Sequence, residues 1–248
     1  MQLTAPLPCP DHTAKNRFAV VIPVYNHGAT VADVVRKAMH HHFPVIVVDD
    51  GSTDASHDNV KDIPGVLVRR HPQNLGKGAA LLTGMVEAAK IAHWAICLDA
   101  DGQHDADDMV HLMGAIPMGQ RPIILGQRKA METAPWTSRF GRKFSNFWVW
   151  VSSGVWLSDS QSGFRIYPLP EVLDLDVRSG NYQFELEVLA KAAWQAMPII
   201  EAPISVSYCP GGRRISHFHP WRDFVRNTQT FSRLIVRRVF TPRLWRIR

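Results

Sequence analysis

Residues 45–54 are VIVVDDGSTD, four β-branched apolar residues followed directly by acidic, glycine and hydroxyl residues. A short apolar run that stops at turn-forming residues is typical of a strand buried on both faces of a parallel sheet. Similar runs occur four more times in the first half of the chain, at Phe18–Val24, Val66–Val68, Ala95–Leu98 and Ile123–Leu125.

Segments with helical spacing of apolar residues lie between these runs, at Thr30–His40, Lys77–Ala92 and Asp107–Ile116. Alternation of strand and helix is typical of βαβ units, in which helices cover both faces of the sheet. The sequence therefore predicts an α/β fold with a Rossmann-like, doubly wound and mostly parallel sheet.

The second half is less regular. Residues 136–156 are rich in aromatics, Ser158–Tyr167 is expected to be a loop that enters a strand, Phe184–Met197 a helix and Ile199–Tyr208 a strand. No linker or internal repeat divides the chain, so we expect a flexible tail over residues 1–16, one domain over residues 17–210 and a basic amphipathic segment over residues 211–248.

Composition excludes several classes of protein. The chain has 248 residues, of which 46% are hydrophobic and 20% charged, which is not typical of disordered or fibrous proteins. Its three cysteines, Cys9, Cys97 and Cys209, are far apart and form no CxxC motif, so we expect neither a disulfide framework nor a zinc knuckle. No segment resembles a signal peptide or a membrane span, and we expect a cytoplasmic protein.

Two acidic residues, Asp99 and Asp101, follow the Ala95–Leu98 run. Alternation along a strand would place both carboxylates on one side, and Gln103 adds a further oxygen ligand. Hard oxygen ligands suit Mg²⁺ or Mn²⁺. The alternative for an isolated motif is a solvated acidic turn in which Asp105 and Asp107 cap the next helix.

Lys77 follows Gly76 at the start of a predicted helix. An ammonium beside helix N-terminal amides can bind phosphate, which is one interpretation of this residue. The other is that the glycines only shape the turn and Lys77 is solvated.

Four ordered motifs give the sequence a resemblance to a known family. They are Val21-Ile-Pro-Val-Tyr-Asn26, Val47-Val-Asp-Asp-Gly-Ser-Thr-Asp54, Asn74-Leu-Gly-Lys-Gly78 and Leu98-Asp-Ala-Asp-Gly-Gln-His104. In this order and spacing they resemble family 2 of the inverting glycosyltransferases, which have the GT-A fold. Ser158-Asp-Ser-Gln-Ser-Gly-Phe-Arg165 is similar to the branch of dolichol-phosphate mannosyltransferases and polyprenyl-phosphate sugar transferases.

The resemblance implies roles for individual residues on the donor side. The nucleotide diphosphate sugar would lie against Pro23, Tyr25, His27, Val48, Asp50, Asp99 and Ala100, where Asp50 accepts hydrogen bonds from the base or ribose. Asp101 and Gln103, with Asp99 beside them, would hold the metal on the diphosphate. The family usually has Glu where His27 stands, so this contact departs from its pattern.

The acceptor side is implied by arginines, whose planar fork suits phosphate. By the resemblance, Arg128, Arg139 and Arg165 would hold an acceptor phosphate, whereas we expect Arg142 and Lys143 to be surface residues. The branch often has Gly-x-Ser-Lys near residue 211. Here the cations lie upstream of that position, and Arg213 and Arg214 are the further residues expected to bind the acceptor.

Asp159 has two interpretations. A transferase that acts on a hydroxyl needs a general base, and Asp159 could supply it. A phosphate monoester has a second pKa of about 6 and is already anionic at neutral pH, so a phosphate acceptor needs no base. Asp159 would then orient Arg165 and its loop.

The C-terminal segment carries most of the basic charge, since residues 213–248 contain ten Arg and one acid, Asp223. A helical projection from Trp221 separates an apolar side from an arginine flank. The apolar side contains Phe224, Val225, Phe231, Ile235, Val236 and Val239, and the flank contains Arg222, Arg226, Arg233 and Arg237. Such a helix favours an anionic membrane surface, with intramolecular docking as the main alternative. No nucleic acid is expected, because no binding motif accompanies the charge.

Taken with the resemblance, these patterns predict inverting transfer of a hexose to a lipid-linked acceptor, above all polyprenyl phosphate. The expected enzyme is peripheral on the cytoplasmic face of the membrane. One alternative is transfer to a lipid or glycan hydroxyl with Asp159 as base, and another is a nucleotide-sensing or scaffold protein on the same fold.

Overall fold

The structure is a computed structural model that describes residues 18–129, 136–181, 183–206 and 220–240, with the side chains of residues 136–141 and 220–227 left out. The strands are β1 Phe18–Val24, β2 Val45–Asp49, β3 Val66–Arg70, β4 Trp94–Cys97, β5 Ile123–Arg128, β6 Arg165–Pro168 and β7 Ile199–Ile204. The helices are α1 Val31–Met39, α2 Lys77–Ala88, α3 Asp108–Gly114, α4 Trp136–Ser153, α5 Gln183–Trp194 and α6 Pro220–Phe240. The predicted tail over residues 1–16 lies outside the described residues.

The predicted mostly parallel sheet is confirmed. Seven strands are ordered β3-β2-β1-β4-β6-β5-β7, and β1 pairs in parallel with both β2 and β4. The chain runs outward from β1 to β3 and returns to the other side of β1 as β4, so the strand order switches between β1 and β4. Ligands of such sheets bind at the carboxyl ends of the strands beside this switch.

Strand β6 is antiparallel to both of its neighbours, β4 and β5. The sequence predicted a strand that follows a loop here, but it gave no direction. The antiparallel insertion places the segment before Arg165 at the same edge of the sheet as the ends of β4 and β5, because β6 begins where those strands end.

Two apolar layers cover the sheet, as a doubly wound fold requires. Successive residues of β1 point to opposite faces, so Val20 and Ile22 belong to one layer and Ala19 and Val21 to the other. Helices α1 and α3 cover the first face and α2 and α5 the second. The buried side chains that these helices contribute include Val31, Val35, Met109 and Leu112 on the first face and Leu81, Met85, Phe184 and Val188 on the second.

Helix α2 approaches the segment before α5 closely, and glycine permits this approach. A Cβ added to Gly78 would lie 2.5 Å from the Phe184 Cβ and 2.9 Å from the carbonyl oxygens of Ser179 and Asn181. The Ala79 N–H donates to the Gly180 carbonyl at 3.0 Å. The start of α2 is therefore fixed against the start of α5.

We expect Gly78→Ala to lower the free energy of unfolding by about 1–3 kcal/mol, the usual effect of overpacking a tight contact. Helix propensity alone would favour alanine by about 1 kcal/mol, so the sign of the effect tests the contact. Chemical denaturation measures it. Gly114→Ala is the matched control in α3, because an added Cβ meets nothing within 4 Å there. A Gly78→Ala protein as stable as the Gly114→Ala protein would contradict the close approach.

The C-terminal helix docks on the domain over its described side chains. Phe231 and Leu234 are buried, the Phe231 ring lies 6.2 Å from Trp148 of α4, and Arg233 pairs with Glu187 of α5 at 2.8 Å. Of the predicted apolar side, Phe231 is buried whereas Val236 and Val239 are exposed, and Leu234, which the projection left outside this side, is buried. A helix packs through the side that its neighbours accept, and the projection contains no information on the neighbours.

Two further expectations concern the rest of the chain. Cys97 is buried with a free thiol whose pKa is raised by burial, and Cys9 and Cys209 lie outside the described residues. Within the described part of the chain, no helix has both the length and the apolar character needed to cross a bilayer.

Candidate functional site

The loops after β1, β2 and β4 are tied together at the switch point. The N–H groups of Asn26 and His27 donate to the hydroxyls of Ser52 and Ser56 at 3.0 and 2.8 Å. The Thr30 hydroxyl donates to the Ala100 carbonyl at 2.6 Å. These bonds bring the loop that carries Tyr25 and His27 to the loops that carry Asp50 and Ala100.

Pro23 and Val48 are register partners on β1 and β2, so they lie side by side at the base of this region. The structure thus gathers the residues that the resemblance assigned to the nucleoside, and their contact with a nucleoside stays a prediction.

Asp50 is buried and already has three protein donors. Its Oδ1 accepts from the Leu75 N–H at 2.9 Å and lies 2.7 Å from the Nδ1 of His71, and its Oδ2 accepts from the Gly76 N–H at 2.8 Å. These bonds hold the turn that leads into α2. The sequence did not single out His71, although parallel pairing of β2 with β3 places it beside Asp50.

Asp49 is fully buried beside Asp50. Asp49 contacts Arg70, the last residue of β3, just as Asp50 contacts the next residue, His71. The Asp49 Oδ2 lies 3.1 Å from the Nε of Arg70, its register partner, and the Asp49 Oδ1 accepts from the Ser52 N–H at 2.9 Å. The paired acids therefore anchor the end of β3 and the loop after β2.

Asp99 is paired with Lys77. The Lys77 Nζ lies 2.7 Å from Asp99 Oδ1 and 3.1 Å from Glu185 Oε1. Burial alone would raise the pKa of Asp99, but the nearby charge of Lys77 outweighs burial, so the pKa of Asp99 is lowered and the carboxylate is ionised at neutral pH. The interpretation of Lys77 as a solvated residue is therefore wrong. No motif of the sequence pointed to Glu185.

Asp99 and Asp101 do not alternate along a strand as predicted, because β4 ends at Cys97 and both residues lie in the turn beyond it. Asp99 is directed to Lys77, whereas Asp101 Oδ1 accepts from the Gln103 N–H at 3.0 Å. Among the described residues, no three His, Cys, Asp or Glu side chains form a metal-binding group. Asp101 and Gln103 still fit Mg²⁺ or Mn²⁺, which take few protein ligands and fill their shells with waters and substrate phosphates.

Asp159 and Arg128 form the centre of a second cluster, at the end of β5. The Nε and Nη2 of Arg128 donate to Asp159 Oδ2 and Oδ1 at 2.7 and 2.8 Å, and Arg142 Nη1 lies 3.7 Å from Oδ2. Asp159 is fully buried, and Glu201 holds its N–H at 2.9 Å. One interpretation predicted that Asp159 orients Arg165, but the arginine in direct contact with Asp159 is Arg128. Sequence reasoning missed Arg142, which it placed on the surface.

Arg165 does not lie where the sequence analysis put it. It is fully buried, and its guanidinium donates to the carbonyls of Ser162, Glu185 and Ser160 at 2.7, 2.9 and 2.8 Å. These bonds fix the loop before β6. A buried guanidinium with these partners also has no side open to an acceptor phosphate. Arg139 lies in α4, but its side chain is not among those described. Arg213 and Arg214 lie outside the described residues.

The two clusters adjoin through the loop that contains Asp159. A Cβ added to Gly163 of this loop would lie 2.2 Å from Asp99 Oδ2 and 2.8 Å from Lys77 Nζ. One edge of the sheet therefore presents oxygen ligands and a lysine beside a pair of arginines. This arrangement can bind two anions next to each other, one with a metal ion and one without.

Comparison with known proteins agrees with this geometry. The pattern of the family described as glycosyl transferase family 2 matches residues 19–167. A UDP-N-acetylglucosamine–dolichyl-phosphate N-acetylglucosaminyltransferase of Methanococcus voltae is 29% identical over 213 residues, which cover 76% of this chain and 85% of that protein. A polyprenol monophosphomannose synthase of Mycolicibacterium smegmatis is 28% identical over 205 residues, covering 76% and 77%.

A solved structure extends the likeness to the fold. Glucosyl-3-phosphoglycerate synthase from Mycobacterium tuberculosis, in complex with Mn²⁺, UDP and glucosyl-3-phosphoglycerate, superposes with a TM-score of 0.67 at 18% identity, covering 93% of this chain and 82% of that one. The likeness confirms the predicted GT-A fold. Because the family pattern extends over more than half of the chain and includes the ends of β1, β2 and β4, the chain belongs to glycosyl transferase family 2.

Proposed function

We propose that this family 2 glycosyltransferase transfers a hexose, with inversion, from a nucleotide diphosphate sugar to the phosphate of a polyprenyl phosphate. The observation that carries the proposal is the buried Asp159, whose two oxygens accept the fork of Arg128 with Arg142 beside it. Relatives named for dolichyl-phosphate and polyprenol acceptors support the same choice.

The burial and pairing of Asp159 favour a phosphate over a hydroxyl as the acceptor. A general base must reach the proton that it removes, but Asp159 is fully buried and bonded to Arg128. In this state Asp159 could not act as the base for a hydroxyl acceptor, whereas a phosphate monoester is already anionic at neutral pH and needs no base. Arg128 and Arg142 would bind that phosphate and direct one oxygen at the anomeric carbon.

The donor would lie across the ends of β1, β2 and β4, with its diphosphate near Asp99 and Lys77. Asp101 and Gln103 would hold Mg²⁺ or Mn²⁺, which supplies positive charge to the leaving diphosphate. Lys77 would add a further cation at the same place, and its position beside the Asp159 loop fits a sugar held between diphosphate and acceptor.

A donor screen tests the enzyme class. Purified protein with Mn²⁺ and polyprenyl phosphate is incubated with GDP-mannose, UDP-glucose or UDP-N-acetylglucosamine, and the lipid product is followed by mass. We expect one donor to give a lipid monophosphate sugar and to release its nucleoside diphosphate. Nucleotide release without any glycosylated lipid, for every donor, would contradict the proposal.

We also propose that the enzyme binds the anionic face of a membrane through an aromatic surface, defined as Phe147, Trp150 and Trp156. The centroid of the Trp150 ring is 6.0 Å from that of Phe147 and 6.1 Å from that of Trp156. Trp150 is 44% exposed and Trp156 is 65% exposed. Arg238 of α6 donates to the Trp150 carbonyl at 3.1 Å, so the basic helix lies beside this surface. Trp at an interface and Arg near anionic headgroups both favour membrane binding.

The double variant Trp150→Ser, Trp156→Ser is expected to weaken co-sedimentation with anionic vesicles by about tenfold, because it removes two large apolar groups from the contact. High salt should weaken binding of the unaltered protein as well. Met118→Ser is the matched control, since Met118 is fully exposed outside this surface. Equal losses for the control and the double variant would contradict the assignment of this surface.

A further inference from the structure

Glu185 is a buried carboxylate at the donor site that no motif of the sequence singled out. It lies in the first turn of α5, and its Oε1 is 3.1 Å from the Lys77 Nζ, which is also 2.7 Å from Asp99 Oδ1. Two carboxylates, Asp99 from the turn after β4 and Glu185 from α5, therefore share one lysine of α2.

The backbone around Glu185 is fixed from two directions. The Glu185 carbonyl accepts from the buried Arg165 guanidinium at 2.9 Å, which connects it to the Asp159 loop. The start of α2 is held by the close approach of Gly78 to Phe184. Lys77 and Glu185 are thus brought together by packing that is independent of their charges.

Glu187, two residues further along α5, shows what distinguishes Glu185. Its carboxylate pairs with Lys191 at 3.0 Å and Arg233 at 2.8 Å, away from Lys77. Residues two apart on a helix point in opposite directions, so α5 presents one buried carboxylate to the site and one to α6.

We propose that Glu185 is a positioning residue, which holds the Lys77 ammonium where the donor diphosphate binds. A lysine has a long flexible side chain and loses rotamer freedom when it is fixed. A second carboxylate removes that freedom before the donor arrives. The inference rests on the proposed function, because it assumes a diphosphate at this edge.

A double-mutant cycle on nucleoside diphosphate binding tests the proposal. Binding of UDP and GDP with Mn²⁺ is measured by calorimetry for the unaltered protein, Glu185→Gln, Lys77→Met and the double variant. We expect Lys77→Met to weaken binding by at least about tenfold, as for loss of a charge-assisted bond. Glu185→Gln should weaken it about fivefold alone and less than twofold when Lys77 is already Met, because it acts through Lys77.

Two further variants separate positioning from folding. Glu185→Asp keeps the charge and should recover part of the affinity, while Glu187→Gln should lower thermal stability without changing nucleotide affinity. Equal factors for Glu185→Gln in both backgrounds, or full affinity in the single variant, would overturn the role of Glu185. An unaltered protein that binds neither UDP nor GDP would instead contradict the proposed function itself.

Discussion

Replacement of Asp101 by Asn should reduce metal-dependent sugar transfer by about 10³-fold and leave the fold intact. The substitution keeps the size of the side chain and an oxygen that can accept from the Gln103 N–H, so the turn after β4 is retained. It removes the one acidic ligand of the proposed set that is not paired with Lys77. A metal ion contributes several kcal/mol of charge stabilisation to a leaving diphosphate, which corresponds to this loss in rate.

The measurement is the initial rate of transfer over a range of Mn²⁺ concentrations. Asp105→Asn is the control, because Asp105 is exposed, lies four residues away and caps the Asp107 N–H at 3.1 Å. The control should keep its metal dependence. An Asp101→Asn enzyme within a few-fold of the unaltered rate, at the same metal dependence, would show that the metal is held elsewhere.

Arg128→Lys should reduce kcat/KM for polyprenyl phosphate by about 10²-fold while the affinity for the nucleoside diphosphate stays the same. Lysine keeps the positive charge that the buried Asp159 needs, so the folded state remains compensated. It loses the planar fork, which now makes two bonds to Asp159 and can present its remaining face to a phosphate. Steady-state kinetics with varied acceptor, together with nucleotide titration, give both quantities.

Arg121→Lys is the matched control, since Arg121 pairs with Glu171 and stacks 4.7 Å over Trp94, outside the site. It should change stability at most. If Arg128→Lys and Arg121→Lys had the same small effect on the acceptor, the arginine cluster would be structural and the acceptor would bind elsewhere.

The first half of the fold could be predicted because each strand is a continuous apolar run and each helix has apolar residues at helical spacing. The predicted run Phe18–Val24 coincides with β1, and the start of α2 at Lys77 is also where it was expected. The direction of β6 could not be predicted, since it depends on the neighbours that a strand meets across the sheet. The buried side of α6 could not be predicted for the same reason, since it depends on the helices that α6 packs against.

Site residues could be predicted where a motif directly follows a strand. The prediction missed residues that reach the site from distant segments of the chain. Asp99, Asp101 and Gln103 were expected together because of alternation along a strand, whereas the structure directs Asp99 to Lys77 and keeps Asp101 beside Gln103. Glu185 and Arg142 approach the site from α5 and α4, and no spacing in the sequence relates them to Asp99 or Asp159. Arg165 was misplaced for a similar reason, because an arginine that binds carbonyls looks the same in sequence as one that binds phosphate.

The most direct test of the central claim compares two acceptors that differ only in the phosphate. The purified enzyme is given its best donor with either polyprenyl phosphate or the corresponding polyprenol in the same detergent, and glycosylated lipid is quantified by mass. The proposed arrangement predicts rapid transfer to the phosphate and at least about 10²-fold slower transfer to the alcohol, since the candidate base Asp159 is buried and bonded to Arg128. Equal or faster transfer to polyprenol would contradict the assignment of Arg128, Arg142 and Asp159 to a phosphate acceptor.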